Sequence, residues 1–252
     1  MAVTDFLTFW RRPRHCFAVP EQQRWYAIGD IHGCYAELNR LIKSIDDDDT
    51  RRGAADTRLL FVGDYIDRGP GSREVIELMM RLDIGQERVV FLMGNHEETL
   101  LSAADGNRRA AALFHKMGGR ETLLSYGVLA QDYDNADPAG IIDMIRAAIP
   151  ADHLQWMRKL RLVHEVGDYL FVHAGVRPGI ALDSQLPSDL RWIRKEFLES
   201  PVNHGRMIVH GHSVSEQIDE RANRIGIDTG AYATGKLTAI GLEGSERWFL
   251  QS

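Results

Sequence analysis

Five times along this chain a short apolar run ends against a glycine or another small residue and a group of metal-ligand side chains. The run at 59–62, Leu-Leu-Phe-Val, leads into Gly63, Asp64, Asp67 and Arg68, and Gly69, Pro70 and Gly71 then turn the chain. Its length and strand-favouring residues suit a buried strand, and the charge arrives where burial ends. The run at 25–28 leads into Gly29, Asp30, Ile31, His32 and Gly33, and that at 89–93 into Gly94, Asn95, His96 and Glu97. The run at 169–172 leads into His173, Ala174 and Gly175, and that at 207–209 into His210, Gly211 and His212. One turn rich in Asp and Gly is an ordinary solvated turn, and one histidine is an ordinary polar residue. Recurrence is what constrains the fold. In open α/β sheets ligands sit beyond the carboxyl ends of the strands, so five such strands deliver Asp, His and Asn to one edge.

Between these runs the period changes. Glu37, Leu38, Leu41, Ile42 and Ile45 give a helical stripe, which is expected to end in a solvated acidic loop at 46–49. That acid run lacks the alternating spacing and glycine of an EF-hand. Ser72 opens a second helix with Val75, Ile76, Met79 and Leu82 on one face, and Gly85 stops it. Residues 98–161 read as a mostly helical block between the third and fourth site strands, broken at Gly118, Gly119, Gly127, Pro138 and Pro150. The last third alternates faster, with strands expected at 206–212, 225–229, 237–242 and 247–250 in a mainly antiparallel sheet. These elements predict an α/β (α+β) chain with one domain over 24–252, after an N-terminal arm at 1–23 that nothing periodic holds.

Composition narrows the function classes. At 252 residues, 44% hydrophobic and 26% charged, the chain can bury a sizeable core. A net charge of −6, with its arginine pairs scattered, argues against a nucleic-acid partner. Cys16 and Cys34 are the only cysteines, too few for a disulfide framework or a thiolate zinc site. No stretch is apolar over the roughly 20 residues of a membrane span, and residues 6–10 are too short for a secretory core. No membrane partner and a cytoplasmic location are therefore expected.

The ordered set G-D-I-H-G at Gly29, G-D-Y-I-D-R-G at Gly63, G-N-H-E at Gly94, V-H-A-G at Val172 and G-H-S at Gly211 resembles the phosphoprotein phosphatase family of calcineurin-like metallophosphoesterases. The segments M-G-G-R-E-T-L-L-S-Y-G at Met117 and I-D-T-G-A-Y-A-T-G at Ile227 are similar to its bacterial, phage lambda phosphatase-like branch. The likeness runs from about Trp25 to the end of the chain. It implies two stacked mixed sheets flanked by helices, with the site at the strand ends.

By that resemblance Asp30, His32 and Asp64 hold one divalent metal, Asp64, Asn95, His173 and His212 hold a second, and Asp64 bridges them. Oxygen and imidazole donors without thiolate suit manganese, iron or zinc without choosing among them, and manganese is the expected ion, with iron or zinc as alternatives. The G-H-S match makes His212 the ligand and leaves His210 as its support. The implied mechanism is in-line attack on phosphorus by a metal-bridging hydroxide, with His96 as general acid oriented by Asp67. Arg68 and Arg194, with Asn95, are expected at the phosphate, although Arg194 also reads as a helical surface residue. The expected activity is serine/threonine protein phosphatase, with a phosphorylated protein or peptide as partner. One alternative is a symmetrical diadenosine tetraphosphate hydrolase, whose sequences share the G-P-G-S run at 69–72. In those sequences the places of Asp67 and Glu97 are typically non-acidic and Asp, so these two residues tilt the reading to the phosphatase. A catalytically inactive phosphate-binding module would have lost an essential group, and none is missing.

Overall fold

A computed structural model describes residues 17–84 and 87–252. Most of the arm expected at 1–23, together with Cys16 and the helix stop at Gly85, lies outside the described residues. Strand β1 (Gln23–Ile28) shows why two layers form, because its side chains alternate between two cores. Trp25 and Ala27 face one cluster, while Tyr26 and Ile28 face another.

Strand β1 pairs in parallel with β2 (Asp56–Phe61), which pairs in parallel with β3 (Val89–Phe91). On the other side of β1 lie β9 (Thr238–Glu243) and then β10 (Glu246–Gln251), both antiparallel to their neighbours. A second sheet runs β4 (Val163–Val166), β5 (Tyr169–Val172), β6 (Met207–His210), β8 (Arg224–Gly226) and β7 (Asp219–Glu220). Here β5, β6 and β8 are parallel. The last third is therefore antiparallel as expected at β9 and β10, while β6 and β8 depart from that expectation and pair in parallel in the other sheet. Alternation reports one buried face, and the order of pairing is set by tertiary partners.

The inner faces of the two sheets meet over Leu60, Val62, Val90, Phe171, Val209, Ile225 and Ile240, all in one buried cluster. Helices α1 (Tyr35–Arg52), α2 (Ser72–Asp83), α3 (Asn95–Ala104), α4 (Arg108–Lys116), α5 (Gly119–Ser125), α6 (Ala130–Asp134), α7 (Pro138–Ala148) and α8 (Ala151–Met157) cover the outer face of the first sheet. Short helices α9 (Pro187–Trp192) and α10 (Lys195–Leu198) cover the second, with Leu190, Ile193 and Phe197 against Leu170, Val172 and Ile208. The result is four layers, helix, sheet, sheet, helix, and the expected two-sheet α/β architecture is the observed one.

Helix α1 departs from its expected end, since it runs through the acid cluster to Arg52. Asp48 accepts hydrogen bonds from the Tyr26 hydroxyl (2.8 Å), Arg52 (3.0 Å) and Trp248 Nε1 (2.8 Å). Asp49 accepts from Arg24 and Thr57, both at 2.6 Å. The run that reads as a solvated loop is the anchor of a helix to its sheet.

Candidate metal centre

The five motif loops follow the carboxyl ends of β1, β2, β3, β5 and β6, and backbone hydrogen bonds lace them together. Ile31 and His32 N–H both donate to Asp64 O, at 3.0 and 2.8 Å, which fixes the first loop on the second. Glu97 ties the second loop to the third, accepting from the amides of Asp64 (3.0 Å), Tyr65 (2.8 Å) and Gly94 (3.0 Å). Across the sheets His212 N–H donates to Asp30 Oδ2 (2.9 Å), and within the second sheet Gly211 N–H donates to His173 O (2.9 Å). Of six described non-glycine residues with positive φ, five are His32, Asp64, Asp67, Arg68 and His212. Strain gathered in this way marks a functional constraint. Gly94 and Gly211 are glycine for lack of room: a Cβ would stand 2.0 Å from Asp64 Oδ1 in the first case and 1.9 Å from Asp30 Oδ1 in the second.

Asp64 stands at the centre. His32 Nε2 lies 3.5 Å and His96 Nε2 3.7 Å from its Oδ2, while His173 Nε2 lies 3.4 Å from its Oδ1. Among the described residues two three-residue groups can hold a cation: His32, Asp64 and His96, and Asp64, His173 and His212. The fit of divalent metals follows from the lone pairs. His32 Nδ1 faces Ile66 O (2.9 Å) and His173 Nδ1 faces Val62 O (3.0 Å). A carbonyl only accepts, so each Nδ1 carries the proton and each Nε2 turns a bare lone pair inward. His173 Nε2 then meets Asn95 Oδ1 at 2.9 Å, acceptor against acceptor, which a cation between them relieves. Asp30 Oδ1, His32 Nε2 and His212 Nε2 are buried without any hydrogen-bond partner. Unsatisfied groups of this kind are rare in an interior, and His32 and His212 each belong to one of the two groups that share Asp64.

Protonation states agree. Burial pushes His32 down to about 3 and lowers His173 and His212, all against the pull of Asp64. Asp64 stays below the carboxylate range because the surrounding histidines, His173 foremost, outweigh its own burial. For His96 burial is overcome by Asp64 and Asp67, and its pKa is raised.

The expected site residues are placed unevenly. Asp30 caps the His212 amide and falls outside both compact groups, where His96 stands instead. His96 Nδ1 is 2.6 Å from Asp67 Oδ2, and Thr122 Oγ1 donates to Asp67 Oδ1 at 2.6 Å. Arg68 Nη2 lies 3.3 Å from His96 Nε2. Arg194 is exposed and makes no direct contact with the cluster among the described hydrogen bonds, although its charge depresses His173 and His212. His210 is buried against Phe197 and the Gly211 carbonyl and belongs to neither of Asp64's groups. Sequence reading missed Asp228, 3% exposed, whose Oδ2 is unpartnered and whose charge raises Asp30. The signal was present, since residues 225–227 and Asp228 repeat the apolar-run-then-carboxylate pattern a sixth time.

This arrangement matches the model of the calcineurin-like phosphoesterases over residues 24–237. The chain belongs to that family. Among curated relatives, a symmetrical bis(5'-nucleosyl)-tetraphosphatase of Methylococcus capsulatus is 37% identical over 153 residues, 61% of this chain and 43% of that protein. One of the same name from Paracidovorax citrulli is 36% identical over 166 residues, 64% of this chain and 47% of that protein. The chain thus spans about half the length of the curated relatives it matches. A solved structure provisionally identified as a diadenosine tetraphosphatase shares the fold, with a TM-score of 0.63 at 22% identity over 91% of this chain and 93% of that one. A cold-active protein tyrosine phosphatase superposes with a TM-score of 0.55 at 19% identity, over 92% of this chain and 81% of that one.

These relatives correct two expectations. The phosphorylated protein or peptide partner is overturned, because the relatives are named for dinucleotide substrates. The lambda phosphatase-like branch gives way with it. The residues that favoured the phosphatase explain the error: Asp67 and Glu97 are fully buried, one against His96 and Thr122, the other on backbone amides. Neither side chain offers a surface that selects a substrate.

Proposed function

We propose that this phosphoesterase hydrolyses dinucleoside tetraphosphates symmetrically, giving two nucleoside diphosphates, at a site that binds two divalent cations. The observation that carries the reading is the shared name of the relatives that are 36 to 37% identical over 61 to 64% of this chain. The buried, unpartnered lone pairs of Asp30, His32 and His212 support the metals. In this reading Asp30, His32 and Asp64 hold one ion, and Asp64, Asn95, His173 and His212 the other. The oxygen and imidazole donor set suits manganese, iron or zinc, and manganese is the ion used to test the reading. When bound, the two cations supply charge for phosphate oxygens and lower the pKa of water at the site.

The chain's own groups do the rest. Arg68 binds a phosphate oxygen through its guanidinium, and the exposed Arg194 reaches one from the other side of the cluster. The bond between the second phosphorus and the oxygen leading to the third breaks as water adds, and that oxygen leaves on a nucleoside diphosphate. His96, its Nδ1 against Asp67, presents Nε2 as the proton donor to it. Chromatography of the products tests the reading. Diadenosine tetraphosphate with manganese should give ADP alone. AMP with ATP, or no cleavage while an aryl phosphate is turned over, would overturn it.

A further inference from the structure

A groove of about 620 Å³ opens beside the cluster, lined by Tyr35, Glu37, Arg68, Pro70, Glu74 and Tyr232 among others. Its volume is that of an ordinary small-ligand site. It is continuous with the cluster through two side chains. Tyr232 meets the His32 ring edge-on, with centroids 5.4 Å apart, and the Arg68 guanidinium stands 4.5 Å over the Tyr232 ring. Arg68 in turn reaches His96. Tyr232 as a residue is still 42% exposed.

We propose that this groove binds a nucleobase, stacked on Tyr232, of a nucleoside whose phosphates pass Arg68 to the cluster. The inference rests on the dinucleotide reading above and gives it a recognition element. A tyrosine ring takes any base by its face at little conformational cost. Here it is also held, since Tyr232 lies on the single turn α11 (Ala231–Thr234). Gly230 N–H before that turn donates to Asp228 Oδ1 (2.9 Å), and Thr234 Oγ1 donates back to Thr229 O (2.9 Å). Charge orders the ligand along the groove. Arg68 attracts the phosphates, while Glu37 and Glu74 repel them and accept hydrogen bonds from base or ribose. A base at this place and a phosphate at Arg68 are adjacent parts of one nucleotide. A phosphopeptide would set a neighbouring residue in the groove without a ring to match it, and its binding is an outcome that the test separates.

The test uses the manganese-loaded protein and two probes with equal phosphate number, ADP and inorganic pyrophosphate, titrated calorimetrically. ADP should bind more tightly than pyrophosphate to the wild type. Tyr232→Ala should weaken ADP about 5- to 150-fold, the range one stacked base contributes. Pyrophosphate should shift less than about twofold, metal content should stay the same, and Tyr232→Phe should restore ADP affinity. Equal weakening of both probes would overturn the proposal by making Tyr232 a positioning residue for Arg68. Unchanged ADP affinity would overturn it as well, and so would a phosphopeptide affected as ADP is expected to be. The two readings fail separately: without symmetric cleavage the dinucleotide activity falls, whereas base-selective binding lost in Tyr232→Ala would still establish the groove.

Discussion

The His96 ring is held between Asp67 at one nitrogen and Arg68 at the other, 3.7 Å from Asp64, and this position makes two roles compete. As a proton donor it matters in proportion to the basicity of the leaving oxygen. A nucleoside diphosphate leaves as a stabilised phosphate oxyanion with a pKa of about 6, whereas an alkoxide is far more basic. General acids contribute about 10² to 10⁴ in rate. His96→Asn should therefore slow an alkyl phosphate monoester by about that factor and diadenosine tetraphosphate at least about tenfold less, with both metals retained. Rates on the two substrates, with metal analysis of the variant, decide the matter. Equal slowing would leave His96 a positioning residue, and loss of an ion would make it a ligand, as its grouping with His32 and Asp64 permits. The ligand motifs were legible in sequence because donor type and spacing survive any fold. The difference between Asp30 and His96 was not, since it depends on which carboxylate oxygen the His212 amide takes.

Helix α1 and strand β10 meet at Asp48, where sequence alone suggested solvent. Burial by itself would raise this carboxyl, but Tyr26, Arg52 and Trp248 donate to it and hold it below its usual value. A depressed folded pKa stabilises above the unfolded value of about 3.9 and is lost as pH falls through the folded one. Asp48→Asn should cost about 2 to 3 kcal/mol at pH 7, as for hydrogen bonds to a charged group, and the gap to wild type should narrow below about pH 4. Urea unfolding at pH 7, 5 and 3.5 measures it, and a gap constant with pH would assign the effect to packing. The acid run misled because Asp46 to Asp49 look alike in sequence, while only the contacts of Asp48 and Asp49 with Tyr26, Trp248, Arg24 and Thr57 distinguish them. Helical stripes and apolar runs were readable from local period. The parallel pairing of β6 and β8 was not, since it joins strands through residues that carry no mark of their partner.

Across the whole molecule the cluster is where the two sheets converge beyond their shared core. Asp30, Asp64 and Asn95 come from loops of the first sheet, and His173 and His212 from loops of the second. Without cations these loops are joined by few hydrogen bonds, among them His212 N–H to Asp30 and His173 to Val62 O. An ion shared by Asp64, Asn95, His173 and His212 would act as a crosslink between layers, and folding would carry its binding energy. Each ion present at about 100 times its dissociation constant adds about 2.7 kcal/mol, and each kcal/mol moves the melting point of a chain this size by about 2 to 4 °C. Manganese added to chelator-stripped protein should then raise the melting temperature by about 5 to 20 °C for one to two ions. Asp64→Asn, which removes the carboxylate common to both groups, should abolish most of that rise, measured against the variant's own metal-free melting temperature. Scanning calorimetry with and without manganese provides the comparison. A melting temperature indifferent to metal, or a rise of equal size in Asp64→Asn, would show that Asp64 does not link the two sheets through bound ions.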